Sequence, residues 1–447
     1  MRGFPPLNIA NDSATGLESL QNDPPPTASF HIGPSPSLDL STLAIHGDDN
    51  LNQTADVAPA LHVSTTFRYN SDPDKLIVAS DLKVFTPLHF YTSVRAQTCH
   101  QGPPPTDSHV YSRHTAPSST RLETLLAPLL RASCVTYTSG CAALHAAYVL
   151  LNPRVVSIGG GYHGSHGVLR LQSRVSGVRV VGLDCAAEEV GEGDVVHLET
   201  PVNPTGEAFD IRHYADKAHS RGAYLLVDST FGPPGLQDPF EWGADIVLHS
   251  GTKFLAGHSD MLCGILACKS EDVAHNLRED RTYLGSVLGS LESWLGVRSI
   301  RTLALRVQRQ SENAAKIVEW LHAMLNKEAD ANDKDVTAVQ SCVAKIQHAS
   351  LQEDDMAWLK EQMPNGFGAV FALTMKDEGL ARALPSKTNL FHHATSLGGV
   401  ESLIEWRAMS DTTVDRRVVR ISCGIEATED LKSDLSGAFQ RLLKSSQ

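Results

Sequence analysis

Residues 227–264 read VDSTFGPPGLQDPFEWGADIVLHSGTKFLAGHSDMLCG, and this stretch decides the fold. It begins inside one short apolar run, AYLLVD (223–228), and contains a second, ADIVLHS (244–250). Both are too short for helices and are bounded by Gly, Pro and Asp, so each reads as a strand. Asp228 ends the first. The second leads into Ser250-Gly251-Thr252-Lys253-Phe254. In α/β sheets ligands gather outside the carboxyl ends of the strands, so the two runs bring Asp228 and Lys253 to one edge. An amine there can form an imine with an aldehyde and serve as a base once another amine displaces it. A carboxylate there can pair with a protonated ring nitrogen. Ser250 and Thr252 offer hydroxyls to a phosphate. Taken singly, each has a plainer reading: a surface lysine after a strand, and a cap at a strand end.

Further short runs repeat the pattern on the N-terminal side: VVSIG (155–159), VRVVGL (178–183) and DVVHLE (194–199), with MLCGILAC (261–268) after the lysine. Helical stretches lie among them, at 119–131 with Ser119 or Thr120 as cap, and at 209–221. Strands alternating with helices predict an α/β fold with a largely parallel sheet covered on both faces. Residues 291–326 show helical spacing without proline and predict one long linking helix. Beyond it, GAVFALTM (368–375) and RVVRISCG (417–424) predict strands of a smaller α+β region, and the charged run 326–336 a solvated loop. The expected organisation is a disordered arm over 1–40, an N-terminal segment with an irregular insertion over 41–110, a large cofactor-binding domain over 111–290, and the linking helix with a small domain over 291–447.

Other segments carry candidate chemistry. Ser139-Gly140-Cys141 precedes the run Leu144–Leu151, a turn feeding a helix N-terminus where free N–H groups favour a phosphate. Tyr162 sits in GGGYHGSHG (159–167) and can stack on a flat ring. Asn203, in ETPVNPTG (199–206), can hydrogen-bond a phenolic oxygen. Arg420, in VVRIS, offers a fork suited to a carboxylate. Ordinary turns and ion pairs account for each of these equally well in isolation.

Composition narrows the field. From 38 basic and 51 acidic residues the formal charge is −13, which repels phosphate backbones, so no nucleic-acid partner is expected. Eight cysteines include no C-x-x-C pair and no zinc-ligand spacing, so reduced thiols and no metal are expected. No run approaches a membrane span, and the first thirty residues lack the basic start and apolar stretch of a secretory signal. The cytoplasm is the expected compartment.

Together, and in this order, these segments resemble the trans-sulfuration (Cys/Met metabolism) family of pyridoxal 5'-phosphate (PLP) enzymes, from about Thr42 to Leu435. Residues 227–264 are close to the family signature. YTSGCAA (137–143), ETPVNPTG, LESWLGVRSIRTLALR (291–306) and ATSLGGVESLIE (394–405) add independent matches. The resemblance implies the PLP-dependent transferase fold type I, aspartate-aminotransferase-like. It implies Lys253 as the Schiff-base lysine, Asp228 as the pyridinium partner and Tyr162 as the stacking tyrosine. It places Gly140, Cys141, Ser250 and Thr252 at the phosphate, and Asn203, Ser396 and Arg420 around the substrate. Tyr111 and Arg113, in VYSRHT (110–115), match a pair that reaches the phosphate from a neighbouring subunit, implying a homodimer or homotetramer with shared sites.

The implied activity is PLP-dependent trans-sulfuration on an amino-acid substrate, cystathionine or O-acylhomoserine, as a cystathionine γ-synthase or a cystathionine C–S lyase. Several positions depart from the family pattern. His114-Thr115-Ala116-Pro117 replaces Gly-Asn-Pro-Thr, and His163-Gly164-Ser165 replaces Gly-Gly-Thr after the tyrosine. Trp406-Arg407 and Met409-Ser410-Asp411 replace His-Pro and Met-Thr-His. Thr395 stands where γ-acting members often carry Glu. These departures surround the substrate more than the cofactor. They keep open an alternative, γ-substitution with a non-sulfur nucleophile.

Overall fold

The computed structural model describes residues 38–52, 55–76, 109–328 and 332–445. The expected arm, apart from its last three residues, and residues 53–54 and 77–108 of the expected N-terminal segment with its insertion lie outside them. The described residues form one compact unit built on two sheets.

The larger sheet has seven strands: β1 (Ser133–Tyr137), β2 (Val155–Ile158), β3 (Arg179–Gly182), β4 (Val195–Glu199), β5 (Tyr224–Asp228), β6 (Ile246–Ser250) and β7 (Gly264–Cys268), in the order β1-β7-β6-β5-β4-β2-β3. β3, β2, β4, β5 and β6 run parallel, and β7 is antiparallel to both of its neighbours. Only residues 251–263 separate β6 from β7, and they contain no crossover helix, so the chain returns antiparallel. Strand β1 escaped the sequence reading because SCVTY carries three hydroxyls and little apolar patterning. It is nevertheless fully buried.

Strand alternation sorts the core. Leu225, Val227 and Val247 belong to one buried cluster, while Leu226, Ile246 and Leu248 belong to the cluster on the other face. By the same parity Glu199, Asp228 and Ser250, the last residues of β4, β5 and β6, point to the second face. Glu199 pairs with Asp228 in register. That face is covered by the helix Gly140–Leu151 through Ala143, Leu144, Ala147 and Tyr148. Its N-terminus therefore lies with the three strand ends on one side of the sheet.

The smaller sheet contains β8 (Val343–Gln347), β9 (Val370–Met375), β10 (His392–His393), β11 (Leu403–Trp406) and β12 (Val418–Ser422), ordered β10-β11-β12-β9-β8. Ile404, Trp406, Val419 and Ile421 pack with Ala438 and Phe439 of the C-terminal helix Thr428–Ser445. Arg420 and Glu405, directly opposed in register, alternate to the other face.

Three expectations are corrected. The helix expected over 291–326 is two helices, Ser290–Ile300 and Leu303–Asn326. The Ser299 carbonyl accepts from Thr302 N (3.2 Å), Thr302 Oγ1 (3.3 Å) and Arg306 Nη2 (2.9 Å), and this replaces the continuing helical ladder. The second helix still links the cores, with Leu303 and Val307 in one and Ala314, Ile317 and Leu321 in the other. The helix expected from Ser119 or Thr120 begins at Pro117, after Ala116. Proline suits a first turn, where no N–H partner is needed, and Ser119 and Thr120 lie inside. Part of the expected loop 326–336 belongs to the helix Lys334–Cys342, capped by Asp333, whose side chain accepts from Asp335 N and Val336 N.

Candidate active site

The carboxyl edge gathers the candidate residues. Lys253 lies three residues past β6, and its Nζ donates to Ser396 Oγ at 2.6 Å. Burial, followed by the nearby Arg420 charge, lowers the Lys253 amine to about 8, so a fraction is neutral near physiological pH. Ser396 has φ +78°, a left-handed conformation that a serine adopts only under constraint. Its carbonyl accepts from Arg420 Nη2 at 2.8 Å. One residue thus touches both the amine and the fork. Arg420 Nη1 donates to Asn203 Oδ1 at 3.1 Å, and Arg420 Nη2 donates to Glu405 Oε2 at 2.6 Å.

Asp228 is buried, and its Oδ1 accepts from Thr230 N (3.0 Å) and Thr230 Oγ1 (2.5 Å). Oδ2 accepts no hydrogen bond among the described residues. Burial raises this carboxyl to about 6 against the Thr230 bonds, so it is ionised at pH 7 and above. Tyr162 is 38% exposed, its ring 4.9 Å from that of His163, and its hydroxyl lies 3.9 Å from Cys141 Sγ. Burial first, then Cys141, raises the phenol to about 12. Ser139 caps the helix that begins at Gly140 by accepting from Ala142 N at 3.1 Å. A Cβ at Gly140 would come within 3.2 Å of Ser250 Cβ, so the helix start presses against the end of β6. The Thr252 hydroxyl is engaged with Cys263, donating to its carbonyl (3.3 Å) and accepting from its N–H (3.1 Å).

Glu199 was quoted in the sequence but given no role. Its Oε2 accepts from Tyr162 N at 2.7 Å and its Oε1 from Asn203 N at 2.8 Å, so one carboxyl ties together two candidate loops. Gly161, at φ +142°, makes the approach possible: a Cβ there would lie 2.4 Å from Glu199 Oε2. Burial and the neighbouring Asp228 charge raise Glu199 to about 8. Glu405, the ion-pair partner of Arg420, and Arg407, which donates to the same Glu405 oxygen, were also missed. The signal available was a charged pair in an otherwise apolar strand and turn, LIEWR.

Tyr111 and Arg113 are not brought to this cluster. Arg113 lies over the Tyr111 ring, 5.5 Å from its centroid, and donates weakly to the Thr282 carbonyl at 3.4 Å. Tyr111 is 43% exposed.

The edge offers an enclosed amine, a carboxylate with one oxygen uncommitted, an aromatic face and a helix N-terminus closely apposed to a serine. This donor set fits a flat, phosphate-bearing aldehyde such as PLP. Among the described residues no three His, Cys, Asp or Glu are placed to hold a metal, and no helix is long and apolar enough to cross a membrane.

Comparison with known proteins agrees with that fit. The chain is 37% identical over 352 residues to the chloroplastic cystathionine beta-lyase of Arabidopsis thaliana, covering 74% of this chain and 72% of that protein. It is 32% identical over 351 residues to the cystathionine beta-lyase of Lactococcus lactis subsp. cremoris, covering 74% and 88%. Among solved structures, a methionine gamma lyase from Micromonospora echinospora superposes with TM-score 0.73 at 33% identity, covering 90% of this chain and 99% of that one. The model of the Cys/Met metabolism PLP-dependent enzymes matches residues 41–440, and the chain belongs to that family, as a PLP-dependent enzyme of fold type I.

Proposed function

We propose that this protein is a cystathionine C–S lyase acting by β-elimination: L-cystathionine and water give homocysteine, pyruvate and ammonia. The observation that carries this reading is the convergence of Lys253, Ser396 and Arg420, an amine and a carboxylate-binding fork held by one residue. The names of the relatives support cystathionine as substrate, and Thr395, at the position where γ-acting members often carry Glu, favours β over γ chemistry. The non-sulfur γ-substitution considered from the sequence finds no support among these relatives.

When bound, PLP supplies an aldehyde for imine exchange with the substrate amine and an electron sink for the α-carbon. The chain's residues do the rest. Lys253 Nζ holds the cofactor in the resting enzyme, and its neutral fraction accepts the α-proton after exchange. Asp228, ionised at neutral pH, keeps the ring nitrogen protonated. Arg420 and Asn203 orient the substrate carboxylate and Ser396 directs the amine. Tyr162 supplies the stacking face. The N–H groups at Gly140 and Cys141, with Ser250 and Thr252, hold the phosphate. Tyr111 and Arg113, remote from their own edge, serve the phosphate of a second copy, so the active form is a homodimer or homotetramer. In this reading residues 111–290 carry the cofactor, residues 291–447 carry the substrate fork, and the enzyme works in the cytoplasm.

The test is the visible absorbance of the purified enzyme and product analysis with L-cystathionine. A band lost in Lys253→Ala, with homocysteine and pyruvate as products, is expected. Cysteine and 2-oxobutyrate would instead make it a γ-lyase, and absence of turnover without added thiol would redirect the assay to O-acylhomoserine with cysteine.

A further inference from the structure

We infer that Arg407 sets how strongly Arg420 attracts a substrate carboxylate, by sharing the single Glu405 oxygen that would otherwise neutralise Arg420. The inference rests on the proposed role of Arg420 and goes beyond it.

Glu405 Oε2 accepts from Arg420 Nη2 at 2.6 Å and from Arg407 Nη1 at 2.7 Å. The three side chains are 3%, 4% and 2% exposed in the order Glu405, Arg420, Arg407, so the cluster is shielded from solvent. Arg407 enters the turn after β11, where Nη1 also donates to Ser410 Oγ at 2.9 Å. Its Nε is buried with no hydrogen-bond partner among the described residues. Behind it, Asp411 Oδ2 lies 3.7 Å from Nη2, and His163 Nδ1 lies 4.0 Å from the same oxygen. The charge order from the site outward is Arg420, Glu405, Arg407, Asp411. The remaining groups facing Arg420 are the Lys253 amine and the neutral acceptors Asn203 Oδ1 and Ser396 O.

Paired with Glu405 alone, Arg420 would form a neutral couple with little residual pull on an arriving anion. With a second guanidinium on the same oxygen, the trio carries one net positive charge where the carboxylate is to bind. Burial lowers Arg420 to about 10, Glu405 opposing and Arg407 adding to the effect, so it remains a cation at neutral pH. Removing Arg407 takes the trio from one net positive charge to none, and with Asp411 counted takes the four groups from neutral to one net negative charge. Unpairing a buried charge in this way is felt strongly because little water screens it.

The experiment titrates the holoenzyme's cofactor absorbance with L-alanine and with ethylamine, the same molecule without its carboxylate. The readout is the ratio of their dissociation constants. Arg407→Met should lower this carboxylate preference by about tenfold through the alanine constant alone, the scale expected for one charge nearby at an effective dielectric of about 20. Arg407→Lys, which keeps the charge, should stay within about threefold of the parent. An unchanged ratio in Arg407→Met, or an equal fall in Arg407→Lys, overturns the inference and leaves Arg407 a packing residue. Should Arg407→Met fail to fold, Asp411→Asn carries the test. It removes an anion behind Arg407 and should raise the ratio, and an unchanged or lower ratio overturns the inference. Arg420→Met separates the two levels: a ratio that survives loss of that charge refutes the role of Arg420 itself.

Discussion

Glu199→Gln puts the tie between the two candidate loops under test. The carboxyl has two acceptor oxygens and uses one for Tyr162 N (2.7 Å) and one for Asn203 N (2.8 Å). Glutamine keeps the shape but has a single acceptor oxygen, and its amide faces the other N–H with a donor. One tie is therefore lost. Because Tyr162 N sits near solvent, water replaces part of that bond, and the loss is about 1–2 kcal/mol rather than the full cost of a dry unpaired group. If the tie pre-positions the stacking tyrosine or Asn203, that energy appears in cofactor affinity as a roughly 5- to 30-fold weaker dissociation constant. The assay is titration of the apoenzyme with PLP, followed by absorbance at pH 9, above the value of about 8 to which Glu199 is raised, with Glu199→Asp and Glu199→Ala alongside. Glu199→Asp keeps two acceptors on a shorter stem and should fall between parent and Gln. Affinity unchanged in Gln and Ala would refute the reasoning, since both lose a tie.

Three further outcomes follow from the same geometry. The raised carboxyls Asp228, about 6, and Glu199, about 8, bind more protons folded than unfolded, so they favour the apo fold at low pH and lose that contribution as pH rises through those values. Denaturant midpoints of apoenzyme should therefore fall between pH 5 and 8 by more in the parent than in Asp228→Asn, and equal slopes would contradict this. Gly257→Ala places a Cβ about 1.9 Å from Arg306 Nη1 at a φ of +68°, displacing the 2.7 Å bond from Arg306 to the Phe254 carbonyl. It should cost about 2–4 kcal/mol by urea unfolding, and a loss under 1 kcal/mol would show that Arg306 moves freely. Mixed refolding of inactive Arg113→Ala and Lys253→Ala chains should restore part of the activity if sites are shared between copies, and no recovery in stable mixed oligomers argues against sharing.

The sheet and its edge were legible because short β-rich runs closed by Gly, Pro and Asp leave few other readings, and parity alone then placed Asp228 and Ser250 on one face. The break at Arg301–Thr302 was not legible: its cause is a guanidinium five residues on that takes the Ser299 carbonyl, a tertiary bond without local signature. The proline start at Pro117 was readable and was passed over in favour of the commoner hydroxyl cap. Glu199, Glu405 and Arg407 escaped for a different reason. A charge in an apolar run declares itself only when its partner is known, and the partners of these three lie between 2 and 37 residues away in sequence.

Ser396 gives its hydroxyl to the Lys253 amine and its carbonyl to the Arg420 guanidinium from a backbone held at φ +78°. In the proposed reading, chemistry and recognition therefore meet at one residue, the first through its side chain and the second through its backbone. A side-chain substitution such as Ser396→Ala removes the hydroxyl contact to Lys253 and keeps the backbone carbonyl facing Arg420, so it should resemble a change at 253 and not one at 420. Because that carbonyl is indifferent to the side chain at 396, retuning of the guanidinium would come through the charges behind it, Glu405 and Arg407.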